Sequence, residues 1–391
     1  MHIAITRLSR LGTVVVAGWN SLKFGLTVGR SVAQPGSALA SGARGRRFES
    51  SRSDQFQILS VERRGSLPWR PLGASGAGIA MTAARHAAAM DRLNFKTGMA
   101  FTYGEPSPMG PGIVRLVAPN AGPFTFKGTN TYLVGSTSLA VIDPGPNDAS
   151  HLAAILNAAG QRTITHILTT HAHRDHVDGV AALKAATGAT VCGFPRDPEA
   201  AHIALEATPS GSYFIDYGFV PGRSLAGGDT VLGSDWALTA IHTPGHAPDH
   251  LAFALEGRDV VFSGDHVMAW NTTIVAPPEG RMAHYIASLE ILLERTDSVF
   301  LPGHGGRLEE PQRTVKAYLL HRRWREQAVM KALTDGANSI RRIVPEVYQG
   351  LAAELIPAAT LSVQAHVEHL IEKGLVSSAA PLTLDRRLEA V

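Results

Sequence analysis

Between Thr170 and Gly179 the chain reads THAHRDHVDG, which brings His171, His173, Asp175 and His176 close together. His171 and His173 are separated by one residue in what reads as a loop, so both imidazoles can reach one cation. Asp175 and His176, turning into a helix, face a second position. Imidazole nitrogen and carboxylate oxygen are the donors zinc accepts where thiolates are absent. Cys192 is the only cysteine, so any metal site must be built from His, Asp and Glu. A loop that merely happens to be histidine-rich is the competing reading. Three later segments weigh against it: TPGHAPDH supplies His246, SGDHV supplies Asp265 and LPGHGG supplies His304. Each follows an apolar run that reads as a strand.

The elements that must position these residues are short. Ile113–Val117, Thr131–Val134 and Leu139–Ile142 read as strands, the last two joined by a tight turn over Gly135–Ser138. A helix is predicted over Ala149–Ala159, closed by Gly160, then a buried strand over Ile164–Thr170. A helix over Val177–Thr187, closed by Gly188, and a strand over Thr190–Phe194 follow. Strands return at Val231–Leu232, Ala237–His242, Leu251–Leu255 and Asp259–Ser263, with a helix at Tyr285–Glu294 before Ser298–Leu301. Two halves, each β then α, predict an αββα sandwich over residues 91–311. Residues 312–391 read differently. A long helix is expected over Gln312–Leu333, and Ile340, Ile343, Val344 and Val347 have helical spacing that Pro345 should kink or end. A further helix capped by Thr360 and ending at Gly374 completes a small winged-helix-like α+β domain.

Composition sets the outer limits. The chain has 391 residues, 45% apolar and 18% charged, with 39 glycines and 23 prolines, which fits a loop-rich globular α/β protein. Residues 1–90 hold 12 Lys+Arg against 3 Asp+Glu, whereas the remainder holds 24 against 30. That first stretch shows no sustained helical or strand period and is not expected to form a core. Its segment Ser31–Phe56 resembles the conceptual translation of a transfer-RNA gene, which places the expected start near Met81, Met90 or Met99. A transit peptide and a basic arm are the competing readings. Its longest apolar run, Leu11–Gly18, is far below the roughly 20 residues that cross a bilayer, so no membrane partner is expected. A single cysteine fits a reducing, cytoplasmic setting.

The order HxHxDH, His, Asp, His over Gly112–Arg307 resembles the metallo-β-lactamase superfamily, with all seven ligand positions filled. The resemblance implies a first zinc on His171, His173 and His246, a second on Asp175, His176 and His304, and Asp265 bridging the two. Two departures narrow it. Commonest-subclass β-lactamases have cysteine where Asp265 stands, and the di-iron oxygen reductases have glutamate where His173 stands. Asp265 and His304 are too close in sequence to admit the β-CASP insertion, and the helical substrate domain of glyoxalase II is not evident after Gln312. NTYLVG (Asn130–Gly135), TPGHxxDH, FSGD, LPGHG, HRRWREQ (His321–Gln327) and EKGLV resemble the lactamase-β-like protein 2 group. That group includes an endoribonuclease on single-stranded RNA and proteins labelled hydroxyacylglutathione hydrolases.

A two-zinc site makes a hydroxide nucleophile from bridging water, and an ester, thioester or phosphodiester could be its target. Asp175 and Asp265 are the expected catalytic carboxylates. Asp143, Asn130 and His250 are candidates for supporting the ligands or touching substrate, with turn capping an equal reading for Asp143. Arg313–Arg342 carries eight Lys+Arg against two Asp+Glu. Within it Arg322, Arg323 and Arg325 flank Trp324, which predicts phosphate contacts to a single strand unless the helix is simply solvated. A small ester or thioester needs no such platform. A metal-binding module without catalysis is disfavoured because no ligand is missing.

Overall fold

Apolar runs bounded by Gly, Pro and Asp form two sheets in the computed structural model, which describes residues 95–199, 214–379 and 381–391. The expected start sites Met81 and Met90 and the segment Ser31–Phe56 lie outside the described residues. The first sheet runs β1 (Ser107–Gly110), β2 (Ile113–Val117), β3 (Asn130–Val134), β4 (Ser138–Ile142), β5 (Thr163–Leu168), β6 (Thr190–Gly193) and β7 (Arg223–Ser224), in chain order. It is antiparallel through β4 and parallel from β4 onward. The crossovers are α1 (Ala149–Ala159), between β4 and β5, and a pair, α2 (Arg174–Val177) and α3 (Val180–Thr187), between β5 and β6. The second sheet holds β8 (Thr230–Leu232), β9 (Ala237–His242), β10 (Leu251–Leu255), β11 (Val260–Gly264) and β12 (Val299–Pro302), in the order β12-β11-β10-β9-β8. Only β11 and β12 are parallel, joined through α4 (Met282–Leu293).

Period-two alternation divides the strands between cores. Tyr132, Val134, Ala140 and Ile142 point between the sheets to meet Leu238, Phe253 and Phe262. Leu133, Leu139 and Val141 point outward, under Ile155 of α1 and Leu183 of α3. On the far side Ala252, Ala254 and Val261 pack under Tyr285 and Leu289 of α4. Strands covered on both faces read as continuous apolar runs, as these do. The layers are α, β, β, α.

Helix α5 (Pro311–Thr334) begins in the core under the second sheet, through Val315, Tyr318 and Leu319, and ends in another with Val329 and Leu333. That other core also takes Ile340, Ile343 and Val344 from α6 (Ile340–Val347) and Val363, Val367 and Leu370 from α7 (Ile356–Glu372). The ribbon of β13 (Val376–Ser378) and β14 (Leu388–Ala390) closes this C-terminal winged-helix domain. Among the described residues, no helix is long and apolar enough to cross a membrane.

Several boundaries differ from expectation. Strand β1 was not foreseen in SPMG. The single helix expected over Val177–Thr187 is two pieces broken at Gly179, where a Cβ would lie 3.0–3.1 Å from the carbonyls of Pro144, Gly145 and Pro146. Thr360 is not a cap: α7 starts at Ile356, and the Thr360 hydroxyl bonds back to the Ile356 carbonyl at 2.8 Å. Pro345 lies within α6, which ends two residues later.

Candidate metal centre

Five loops at one end of the sandwich carry the site. β5 ends at Leu168 and delivers His171, His173, Asp175 and His176; His246 lies between β9 and β10; Asp265 follows β11; His304 follows β12. Gly128 and Thr129, just before β3, complete the wall.

The seven residues converge in overlapping sets. Ligand atoms of His171, His173 and His246 lie within 4.8 Å of one another, as do those of His171, His176 and Asp265, and those of Asp175, His176 and His304. His246 Nε2 and His173 Nδ1 face each other at 3.1 Å, close enough to share one proton or one cation. His304 Nε2 is 3.2 Å from Asp175 Oδ2 and 3.3 Å from Asp265 Oδ2. His176 Nε2 is 3.3 Å from Asp175 Oδ2 and 3.6 Å from Asp265 Oδ1. Asp265 also lies 3.8 Å from His246 Nε2, so it reaches both groups.

A second layer fixes ring orientation. Asp143, at a left-handed φ of 50°, accepts the Thr170 N–H at 2.7 Å and the Thr170 hydroxyl at 2.7 Å, and pairs with His176 Nδ1 at 2.8 Å. His176 Nε2 is thereby turned inward. The Thr170 hydroxyl also lies 2.9 Å from His171 Nδ1. His246 Nδ1 donates to the Ile274 carbonyl at 2.7 Å and His304 Nδ1 to the Gly128 carbonyl at 3.2 Å, which aims each Nε2 at the cluster. Gly303 allows this crowding, because a Cβ there would meet Asp265 Oδ1 and lie 2.8 Å from His176 Cε1.

His171 and His173 are both lowered, His173 to about 3, first by burial and then by neighbouring imidazoles. His176 and His304 go the other way. Burial pulls them down, but the facing carboxylates outweigh it, holding His176 well above its usual range and raising His304 to about 10. Burial would raise Asp175 and Asp265, yet the same imidazoles hold both well below the usual carboxylate range. The two carboxylates thus favour positive charge at the positions of His176 and His304, the charge a cation would supply there.

Donor chemistry is the test of fit. His171 Nε2, His176 Nε2 and Asp265 Oδ1 are buried without a hydrogen-bond partner, although buried polar atoms are nearly always satisfied. These atoms, from two loops, converge with the nitrogens of His246 and His304 from two more, which fits one or two divalent cations held by nitrogen and oxygen.

His250 is fully buried beside the cluster: its Nε2 accepts the Asp265 N–H at 3.1 Å and its Nδ1 meets the Thr243 hydroxyl at 2.8 Å. Asn130 is likewise interior, donating to the carbonyls of Pro302 and Gly305 at 2.9 Å each, so it clamps the His304 loop. The arginine platform needs correction. Arg322 and Arg325 are buried, donating to the carbonyls of Thr273 and Val347 and stacking over Tyr285 and Tyr348. Of the three arginines, Arg323 alone is exposed. Sequence reasoning missed Thr129, whose hydroxyl lies 3.3 Å from Asp175 Oδ2, and Thr170, which only its place before His171 could have marked.

The family model described as the metallo-beta-lactamase superfamily matches residues 124–304, and that of the beta-lactamase associated winged helix domain matches residues 339–381. A beta-lactamase-like protein 2 homolog from Drosophila melanogaster is 30% identical over 274 residues, which is 67% of this chain and 88% of that protein. Thioesterase pkgB of Emericella nidulans is 32% identical over 225 residues, 56% of this chain and 58% of its own length. Among solved structures, a beta-lactamase domain protein from Burkholderia ambifaria matches with a TM-score of 0.64 at 19% identity, over 76% of this chain and 97% of its own. That last likeness is one of fold.

Proposed function

The chain belongs to the metallo-β-lactamase superfamily, and from that premise we propose that it is a hydrolase of a small thioester or ester, using two zinc ions. His171, His173 and His246 would hold one ion, Asp175, His176 and His304 the other, with Asp265 between them. The observation that carries this reading is the convergence of unpartnered ring nitrogens and a carboxylate oxygen in a buried cluster. Water bound in such a pair is acidified toward neutrality and a carbonyl oxygen placed against it is polarised.

The protein's own groups do the rest. Asp175 is the more exposed of the two carboxylates, its side chain at 27% against 9% for Asp265, and so it is the one that meets substrate. It orients the attacking water through its free oxygen; the proton released as the water oxygen bonds to the carbonyl carbon leaves on the departing sulfur as the C–S bond breaks. The products are a carboxylic acid and a thiol, and no side chain is acylated. Asp143, Thr170 and His250 hold ligands in place rather than touching substrate.

The thioester class is supported by the relative named as a thioesterase and by the interior position of Arg322 and Arg325, which leaves an RNA strand without the expected track. A reducing, cytoplasmic setting fits a chain whose one cysteine, Cys192, is buried. Parallel assays of zinc-loaded protein on S-lactoylglutathione and on single-stranded RNA test the reading. Thioester turnover abolished by a chelator is expected; cleavage of RNA with no thioester turnover would overturn it.

A further inference from the structure

Three charged side chains that this hydrolysis does not use are buried behind the histidine cluster. Arg196, just past β6, donates from Nη1 to Asp249 Oδ1 at 3.1 Å and from Nη2 to Glu279 Oε2 at 2.8 Å. The side chains of Arg196, Asp249 and Glu279 are only 6%, 4% and 8% exposed. Desolvating such ions costs several kcal/mol each before pairing offsets it, so the triad is not explained by stability alone.

Its contacts lead to the cluster. Asp249 Oδ2 accepts the N–H of Ala172 at 2.9 Å, and the Ala172 carbonyl accepts the Asp216 N–H at 2.9 Å. Ala172 is the single residue between His171 and His173, so the backbone that spaces those two rings is pinned from both sides. Glu279 lies on the same connecting segment as Ile274, whose carbonyl holds His246 Nδ1 at 2.7 Å. Segments bearing or holding all three imidazoles therefore meet at one guanidinium. Charge points the same way. Two carboxylates on one arginine leave one negative charge uncompensated, and it lies behind three imidazoles that carry none, whereas the neighbouring group has Asp175 and Asp265.

We infer that Asp249, Arg196 and Glu279 are positioning residues for the three-histidine subsite, fixing its rings and supplying the negative charge that a divalent cation there lacks. This rests on the cation-binding reading given under Proposed function. The test is stepwise zinc affinity of the metal-free full chain, measured by competition with a chromophoric chelator. Glu279→Gln keeps a hydrogen-bond acceptor for Arg196 but removes the excess charge, and should weaken one binding step by about 10–100-fold while leaving the other unchanged. His246→Ala identifies that step, because it should be the one this variant loses. Arg196→Lys keeps the charge without the two-pronged donor and should weaken the same step less. Asp249→Asn provides a second neutral variant with the same expected selectivity. Unchanged affinities in a folded Glu279→Gln protein, or equal loss at both steps, would overturn the relay. Wild-type protein that binds no pair of zinc ions would instead remove the reading of the site itself.

Discussion

His171, His173 and His246 form one half of the side-chain cluster and Asp175, His176 and His304 the other, and the two halves differ in electrostatics. In the first, burial holds His171 and His173 neutral, with bare nitrogens facing inward. In the second, carboxylates raise the imidazoles of His176 and His304 and are themselves lowered by them, so positive charge is favoured where a cation would sit. A neutral donor set is ready to bind but brings no counter-charge, so it depends on what stands behind it. A charged set neutralises itself and must release protons to bind. The ring orientations follow the same division: a backbone carbonyl fixes His246, whereas the carboxylate of Asp143 fixes His176.

The largest expected effect breaks the first half. His173→Ala removes one of three nitrogens that have no substitute nearby, and should abolish hydrolysis and leave one zinc per chain. Turnover at the wild-type rate with two zincs retained, by metal analysis, would contradict the assignment.

A smaller effect sharpens the contrast. Asp143→Asn keeps the shape beside Thr170 but loses the charge that orients His176, and should weaken the Asp175-side cation by about 10–100-fold and the three-histidine side less, because Asp143 reaches His171 only through Thr170. Equal weakening of both steps in a chelator titration would show that the halves do not act separately.

The smallest effect lies outside the centre, on the helix Pro311–Thr334. Arg322→Leu leaves the Thr273 carbonyl without its charged donor and should cost about 2 kcal/mol of stability, whereas Arg323→Gln should change it by less than about 0.5 kcal/mol. Denaturant unfolding of the two variants measures both; similar losses would mean that Arg322 is not an interior post.

That helix also marks where sequence reading stops. Arg322 and Arg325 are three residues apart and so share one helix face, but charge alone does not say which way the face turns. It turns inward, where Tyr285 and Tyr348 offer aromatic faces and the carbonyls of Thr273 and Val347 accept from the two guanidinium groups. The histidines were legible for the opposite reason. Each follows a strand recognisable as a short apolar run bounded by turn residues, and neighbouring strands bring their ends together whatever the loops do. The same logic made the sandwich layers readable and β1, a four-residue edge with Pro and Gly, unreadable. Thr129, Arg196 and Asp249 act only through contacts distant in sequence, which no local spacing encodes.

Equilibrium dialysis of the metal-free protein against buffered zinc, followed by metal analysis, tests whether this cluster holds a pair of cations. Two equivalents per chain are predicted, falling to one in His173→Ala; binding of fewer than two by the wild type, or of two by the variant, would contradict it.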